Sequence, residues 1–327
     1  MRVLLTGGNG FLGKAIIKSF ENSFGVELFY YPSSQYNLMR LEDCLAMVGR
    51  AKPDVVIHSA AIYGGLGINL EIPEEIFYTN TIMNANIIRA SAMKGVKKFV
   101  GIGTACSYPG YLEGKLREDD IWRGEVHETV KCYGAVKKMM IIHCEAAKKE
   151  YGMDSVHPIL ANLYGPHDSY HPRRSHVVAA LIRKFYEAKQ IKEKKVVCWG
   201  TGSPRREFLY VEDAADVIVS LATGLVIEKA GPIFSACPTE SGDIINVGTG
   251  VATSIKELAE MIADVSGFDG RIVWDTSKPD GQKLKVFDVT KLKSLLGYVP
   301  ESIDKEKLKK TYDWFAGNYE WIKMRNW

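Results

Sequence analysis

Apolar positions in this chain come in two rhythms. Short apolar-rich runs at Val3–Leu5, Glu27–Tyr30, Val55–His58, Phe99–Gly103 and Ser155–Leu160 have the density of strands covered on both faces. The segments between them, notably Asn80–Met93 and Tyr133–Glu150, repeat apolar side chains every three to four residues, the spacing of one helix face. Strands alternating with helices predict an α/β fold on a doubly wound parallel sheet. Further on, 206–222 reads as a strand followed by a helix. The segment 253–262 opens with Ser254-x-x-Glu257, a capping box ahead of an apolar stripe.

The first strand–helix unit carries chemistry. Between Val3–Leu5 and the helical stripe Ala15, Ile16, Ile17 and Phe20 lies Gly7-Gly8-Asn9-Gly10-Phe11-Leu12-Gly13. Glycines at 7, 10 and 13 let the backbone turn sharply and approach a pyrophosphate. The helix that starts at Phe11 and Leu12 then offers unpaired N–H groups and a partial positive charge. A structural tight turn is the weaker reading. The spacing G-x-x-G-x-x-G resembles the extended short-chain dehydrogenase/reductase superfamily. "AKPDVVIHSAA" (51–61) is similar to that group's third strand, and the resemblance places Ala60 and Ala61 against the cofactor. It also implies a Rossmann-like sheet with a smaller α/β substrate-binding domain. An acid at the end of the second strand would hold the ribose hydroxyls of NAD. Here that end reads Tyr30-Tyr31-Pro32-Ser33-Ser34, which favours NADP(H), with Ser33 at the ribose. No arginine stands there for a 2′-phosphate, and Asn9 stands where a basic residue would help, so NAD(H) stays open.

The bulk numbers narrow the class. At 327 residues the chain has room for one large domain or two small ones. Its net charge of +3, from 42 basic and 39 acidic residues, is too balanced for a nucleic-acid surface. The six cysteines form no CxxC and no zinc-like spacing with histidine, so no metal is expected. The start "MRVLLTGG" lacks a signal-peptide pattern. No apolar stretch is long enough for a membrane span. The expectation is a cytoplasmic protein with reduced thiols.

The reductase superfamily uses Y-x-x-x-K. A tyrosine donates a proton to the carbonyl oxygen that receives hydride, and a lysine one helical turn on holds the nicotinamide ribose and favours the phenolate. Three pairs fit: Tyr111/Lys115, Tyr133/Lys137 and Tyr319/Lys323. Tyr111 follows Pro109-Gly110 and reads as loop, and Tyr319 lies far from any strand end. Tyr133 opens a long helical pattern after Thr104, which sits at the end of the Phe99–Gly103 strand, where ligands of open α/β sheets gather. Tyr133, Lys137 and Thr104 are the expected triad.

Longer stretches carry a more specific likeness: "NLYGPHDSYHPRRSHVVAALIRKF" (162–185), "VVCWGTGSPRREFLYVEDAADV" (196–217), "INVGTGVATSIKELA" (245–259) and "SKPDGQK" (277–283). With "TACSYPG" and the glycine turn they closely resemble the GDP-L-fucose synthase family, over nearly the whole chain apart from an insert near Ile227–Asp243. The resemblance implies 3,5-epimerisation and NADPH-dependent 4-reduction of GDP-4-keto-6-deoxy-D-mannose. It implies that Cys106 and His176 form an acid–base pair. Around the GDP-sugar it implies Asn162, Lys184, Trp199, Arg206 and Lys285. The family usually has serine at the place of Thr104 and arginine at that of Lys184. Cysteine and histidine titrate near 8.5 and 6.5 when unperturbed, which suits exchange of the acidic C3 and C5 protons of a 4-keto sugar. Alternatives at this stage are a plain C4-reductase, action on another nucleotide-linked 4-keto sugar such as a GDP-6-deoxy-heptose, and a dinucleotide-binding sensor without turnover. Cys106 and His176 could also be packing residues. His167 and His171 share the loop with no assigned step, and His58 and Cys132 read as core.

Residues 1–161 are expected to form the NADP(H)-binding domain and 162–327 mainly the GDP-sugar-binding one, with 206–222 returning to the first. Asn80–Met93 and Tyr133–Glu150 have enough apolar residues for a four-helix homodimer contact, as the resemblance implies.

Overall fold

The computed structural model describes residues 1–21, 25–228, 231–278, 280 and 282–326. Pro279 and Gly281 of the "SKPDGQK" stretch, and residues 229–230 of the insert, lie outside the described residues. The first half runs β1 (Arg2–Thr6), α1 (Phe11–Phe20), β2 (Glu27–Tyr30), α2 (Leu41–Ala51), β3 (Val55–His58), α3 (Leu66–Glu71), α4 (Pro73–Met93), β4 (Lys98–Gly101), β5 (Gly103–Thr104), β6 (Gly114–Leu116), α5 (Lys131–Tyr151) and β7 (Asp154–Leu160). Then come β8 (Asn162–Tyr164), α6 (Val177–Gln190), β9 (Lys195–Trp199), β10 (Arg205–Arg206), β11 (Phe208–Tyr210) and α7 (Val211–Thr223). The hairpin β12 (Leu225–Glu228) and β13 (Gly231–Ala236) leads to β14 (Asp243–Val247) and β15 (Thr253–Ser254). The chain ends with α8 (Ile255–Ser266), β16 (Arg271–Asp275), β17 (Leu284–Phe287), α9 (Thr290–Leu296) and α10 (Lys305–Asn326).

Among the described residues the main sheet has seven strands, in the order β14-β7-β4-β3-β1-β2, with β5 also paired to β7, all parallel. Its strands are apolar at successive positions because both faces are covered. Val3, Leu5, Ile57 and Val100 join a core with α1 and α7 on one side. Leu4, Val56 and Phe99, one residue out of step, join α2, α4 and α5 on the other. The chain adds β2 on one side of β1 and β3 on the other, so the crevice at the ends of β1 and β3 is the ligand position for such a sheet. A separate core gathers α6, α8 and α10 with β9 and β11.

Two boundaries differ from the apolar pattern. The run at Phe99–Gly103 is broken at Ile102, and beyond it β5 keeps the register of β4 on β7, pairing Gly103 with Ile159 and Thr104 with Leu160. This leaves Thr104 at the strand end. Helix α4 begins at Pro73, well before Asn80, because proline suits the first helical position. The capping box is formed: Ser254 Oγ accepts from Glu257 N–H at 3.1 Å, and Glu257 Oε2 accepts from Ser254 N–H at 2.7 Å.

Three later segments are tied together by Glu207, which is buried between β10 and β11. Its carboxylate accepts the N–H groups of Thr249, Gly250 and Phe287, the last two at 2.7 Å. Burial pushes this carboxyl up, and the backbone donors hold it down. The same strands set Arg206 beside Lys285, in register between β10 and β17.

Two buried histidines make stability depend on pH. His58 is hydrogen-bonded to Thr6 Oγ1 at 2.7 Å and to Asn84 Oδ1 at 2.9 Å. His157 lies under Gly101 with Nε2 3.2 Å from Ser155 Oγ. Burial pushes His58 down to about 3 and His157 to about 4, whereas unfolded histidine protonates at about 6.5. Stability from their neutral forms is complete above about 6.5 and is lost as pH falls from there towards the folded values. We expect urea unfolding to lose roughly 1.4 kcal/mol per histidine between about pH 7.5 and 5.5, and a smaller loss in His157→Phe. Stability that stays flat across that interval would contradict the neutral assignment.

Candidate active site

The turn from β1 to α1 is built for close approach. Gly7 has φ +76°, and a Cβ there would lie 2.7 Å from the Ala60 nitrogen. A Cβ on Gly13 would collide with the Gly7 carbonyl. Gly10 N–H bonds Gly7 O at 2.9 Å, and no side chain caps α1. The N–H groups of Phe11, Leu12 and Gly13 therefore begin the helix with no cap, beside Ala60 and Ala61 at the end of β3. These residues fit a dinucleotide pyrophosphate. Ser33 is exposed in the turn that follows β2.

Thr104, Cys106, Tyr133 and Lys137 meet where β5 ends and α5 begins. Thr104 Oγ1 accepts the Cys106 N–H at 3.2 Å and so caps the short helical turn Ala105–Ser107. Gly134 lets α5 press on that turn, since a Cβ there would strike the Cys106 carbonyl. Tyr133 and Lys137 are both buried, with Lys137 Nζ 5.7 Å from the Tyr133 ring centre. Burial pushes the lysine down to about 8, and burial with the Cys106 thiol pushes the tyrosine hydroxyl up. His176 stands at the residue before α6, its side chain making no capping bond, and is half-buried, and burial pushes it down to about 4.

These groups meet through Tyr63, which the sequence analysis did not single out. Its ring stacks on Tyr133, with centroids 4.2 Å apart and planes at 20°. It lies 5.1 Å from the His176 ring, and its hydroxyl stands 3.9 Å from Cys106 Sγ. The site thus combines a proton-donating tyrosine, a buried lysine, a thiol and an imidazole, a set able to move protons at a carbonyl compound and on its neighbouring carbons.

The expected substrate residues fall into two groups. Arg206 and Lys285 stand side by side, each pushed down by burial, with Lys285 within electrostatic reach of Cys106. Arg206 donates to Arg205 O at 2.8 Å and Gln282 O at 2.5 Å. Farther off, Trp199 is 68% exposed at the end of β9, with Lys184 Nζ 5.5 Å and Lys278 Nζ 5.8 Å from its ring. An exposed aromatic ring with two cations near it suits a nucleotide. Lys278 also went unnoticed in the sequence. Asn162 has a scaffold bond, donating to Glu207 O at 2.8 Å. Elsewhere, His167 packs on Trp314, His171 accepts from Arg173 N–H, Cys132 packs in the cluster around Tyr133, Tyr111 is exposed, and Tyr319 bonds Glu187.

A family described as the NAD dependent epimerase/dehydratase family matches residues 3–237. The chain belongs to this family. It is 37% identical to the GDP-L-fucose synthase of Escherichia coli (strain K12) over 322 residues, 98% of each chain. Its fold is similar to that of a GDP-L-fucose synthetase from Naegleria fowleri bound to NADP, with TM-score 0.84 and 28% identity over 97% of this chain and 93% of that one. A GDP-6-OMe-4-keto-L-xylo-heptose reductase from C. jejuni gives TM-score 0.84 and 26% identity over 97% of each chain. The extended short-chain dehydrogenase/reductase fold and a nicotinamide-dependent enzyme class follow from this membership. Family members thus handle more than one GDP-sugar.

The Lys137 charge has a measurable consequence. The ammonium is present below about 8 and lost above it, so a cation available to a dinucleotide bound here fades as pH rises. We expect dinucleotide affinity, followed by nicotinamide fluorescence, to weaken above pH 8, and the weakening to vanish in Lys137→Met. Affinity unchanged up to pH 10 would show that Lys137 keeps its proton in the complex.

Proposed function

We propose that this enzyme converts GDP-4-keto-6-deoxy-D-mannose to GDP-L-fucose by epimerisation at C3 and C5 followed by NADP(H)-dependent reduction at C4. The observation that carries the reading is the meeting of the Cys106 thiol and the His176 imidazole around Tyr63, next to Tyr133. A ketone at C4 acidifies the hydrogens on C3 and C5, because the anion spreads onto oxygen. Inversion needs a base on one face of the carbon and an acid on the other. Cys106 removes the proton as thiolate, and His176 returns one to the opposite face. The thiolate–imidazolium pair has the same net charge as thiol and neutral imidazole. Burial of His176 favours the neutral pair. Thr104 and Tyr133 hold the C4 oxygen and stabilise the enolate. Bound NADPH supplies the hydride to C4. Tyr133 then gives its proton to the C4 oxygen, with Lys137 stabilising the charge left on the phenol ring.

The uncapped α1 and the lack of an acid after β2 support NADP(H), and so does the NADP-bound relative. Arg206 and Lys285 suit the diphosphate, and Trp199 with Lys184 the nucleoside. The six free thiols support a cytoplasmic location. Among the described residues no helix is long and apolar enough to cross a membrane.

The decisive experiment is product NMR after turnover in D2O with GDP-4-keto-6-deoxy-D-mannose and NADPH. We expect deuterium at both C3 and C5 of GDP-L-fucose, and at least a hundredfold slower exchange in Cys106→Ser. A C4-reduced product without deuterium would make the enzyme a plain reductase. No turnover would favour another GDP-4-keto sugar, such as a heptose.

The chain is also proposed to form a homodimer through α4 and α5. Phe77 and Tyr78 on α4 and Met139 and Ile142 on α5 are 40–55% exposed, more apolar surface than packed neighbouring helices ordinarily leave open. Light scattering should give twice the chain mass, and Ile142→Glu should lower it towards one chain. A monomer in the unsubstituted protein would remove this reading.

A further inference from the structure

Tyr63 touches three of the side chains on which the proposed chemistry depends, yet it stands on none of their elements. It lies in the loop between β3 and α3, and that loop is pinned on both sides of it. The buried Asn80 grips Ile62 twice: Asn80 Oδ1 accepts from Ile62 N–H, and Asn80 Nδ2 donates to Ile62 O, both at 2.9 Å. On the other side Asn69 Nδ2 donates to Gly64 O at 3.4 Å and Gly65 O at 3.2 Å. Gly65 N–H bonds Arg174 O at 2.7 Å. A Cβ on Gly64 would lie 2.9 Å from that same carbonyl, and one on Gly67 would strike Arg173 O. The loop therefore docks directly on the segment that delivers His176. Held this way, the ring has little freedom to leave Tyr133, while 40% of the residue stays open.

We propose that Tyr63 is a positioning residue for proton transfer, its hydroxyl hydrogen-bonding the Cys106 sulfur and its ring bracing Tyr133 and His176. A hydroxyl beside sulfur donates to a thiolate and so favours the ionised base. Once Cys106 has taken a proton, the same hydroxyl accepts from the thiol. Tyr63 thus serves both states of the base without changing its own protonation. Its ring keeps the acid and the base at a fixed separation. The idea rests on Cys106 acting as the base, and its test does not need the sugar.

The test compares the enzyme with Tyr63→Phe, which keeps the ring, and Tyr63→Leu, which keeps neither ring nor hydroxyl. Alkylation of Cys106 by iodoacetamide is followed by peptide mass spectrometry across pH, which separates it from the other thiols. Both variants should react about threefold or more slowly at pH 7, with the pH profile displaced upward. Only Leu should also weaken dinucleotide binding, because only Leu frees Tyr133. Either folded variant suffices for the thiol measurement. An unaltered alkylation profile overturns this role, even alongside normal C3 and C5 exchange. A displaced profile in an enzyme that shows no such exchange keeps the role of Tyr63 and removes the epimerase reading.

Discussion

The cleft depends on one buried carboxylate. Glu207 brings together the start of β11, the loop after β14 and the strand β17, adding side-chain bonds to the ladder that β10 and β17 already share. A buried carboxylate is costly unless its oxygens are satisfied, and here three backbone N–H groups satisfy it. Directional bonds from one fixed acceptor leave little slack between the segments. Arg206 is its chain neighbour and Lys285 lies two residues before Phe287, so the same knot places both cations. Asn162 bonds the backbone of Glu207 and extends the junction to β8.

The other half of the site comes from strand ends. β1, β3 and β5 stop at the same edge of the sheet, presenting the glycine turn, the Ala60–Tyr63 loop and Thr104. Helix α5 starts at that edge and brings Tyr133 and Lys137 one turn apart. Burial then does the electrical work. It lowers Lys137 and His176 and raises Tyr133. Burial keeps the proton on Tyr133 until an oxygen gaining charge takes it, and the neighbouring Lys137 cation offsets the cost of the phenolate left behind.

Features governed by local rules were legible in the sequence. The glycine turn, the capping box at Ser254 and the Tyr133–Lys137 spacing each depend on neighbours within a few residues. Alternation of apolar runs was enough for the parallel sheet, because both of its faces are covered. The choice among the three tyrosine–lysine pairs rested on the loop at Tyr111, the place of Tyr319 and the helix and strand end around Tyr133, and the structure sets Tyr133 and Lys137 beside the turn that Thr104 caps. The break at Ile102 was not legible, since composition does not say which neighbour a strand pairs with. Tyr63 was missed for the same reason: its partners arrive from three other parts of the chain. An aromatic residue at a strand end, followed by two glycines, was the available signal. Lys278 next to Trp199 likewise depends on how β9 and β16 pair. Cys106 and His176 were named through family resemblance, and no spacing rule links them.

The pairing of Arg206 with Lys285 reaches beyond binding. Two like charges held together and half withdrawn from water are a standing cost to the folded chain, and an anion lying across them relieves it. A ligand that binds the folded form alone stabilises it by mass action. Were the proposed sugar diphosphate that anion, its supply would govern how long each molecule survives, as well as how fast it works. Enzyme abundance in the cell would follow the upstream reaction without any dedicated regulator.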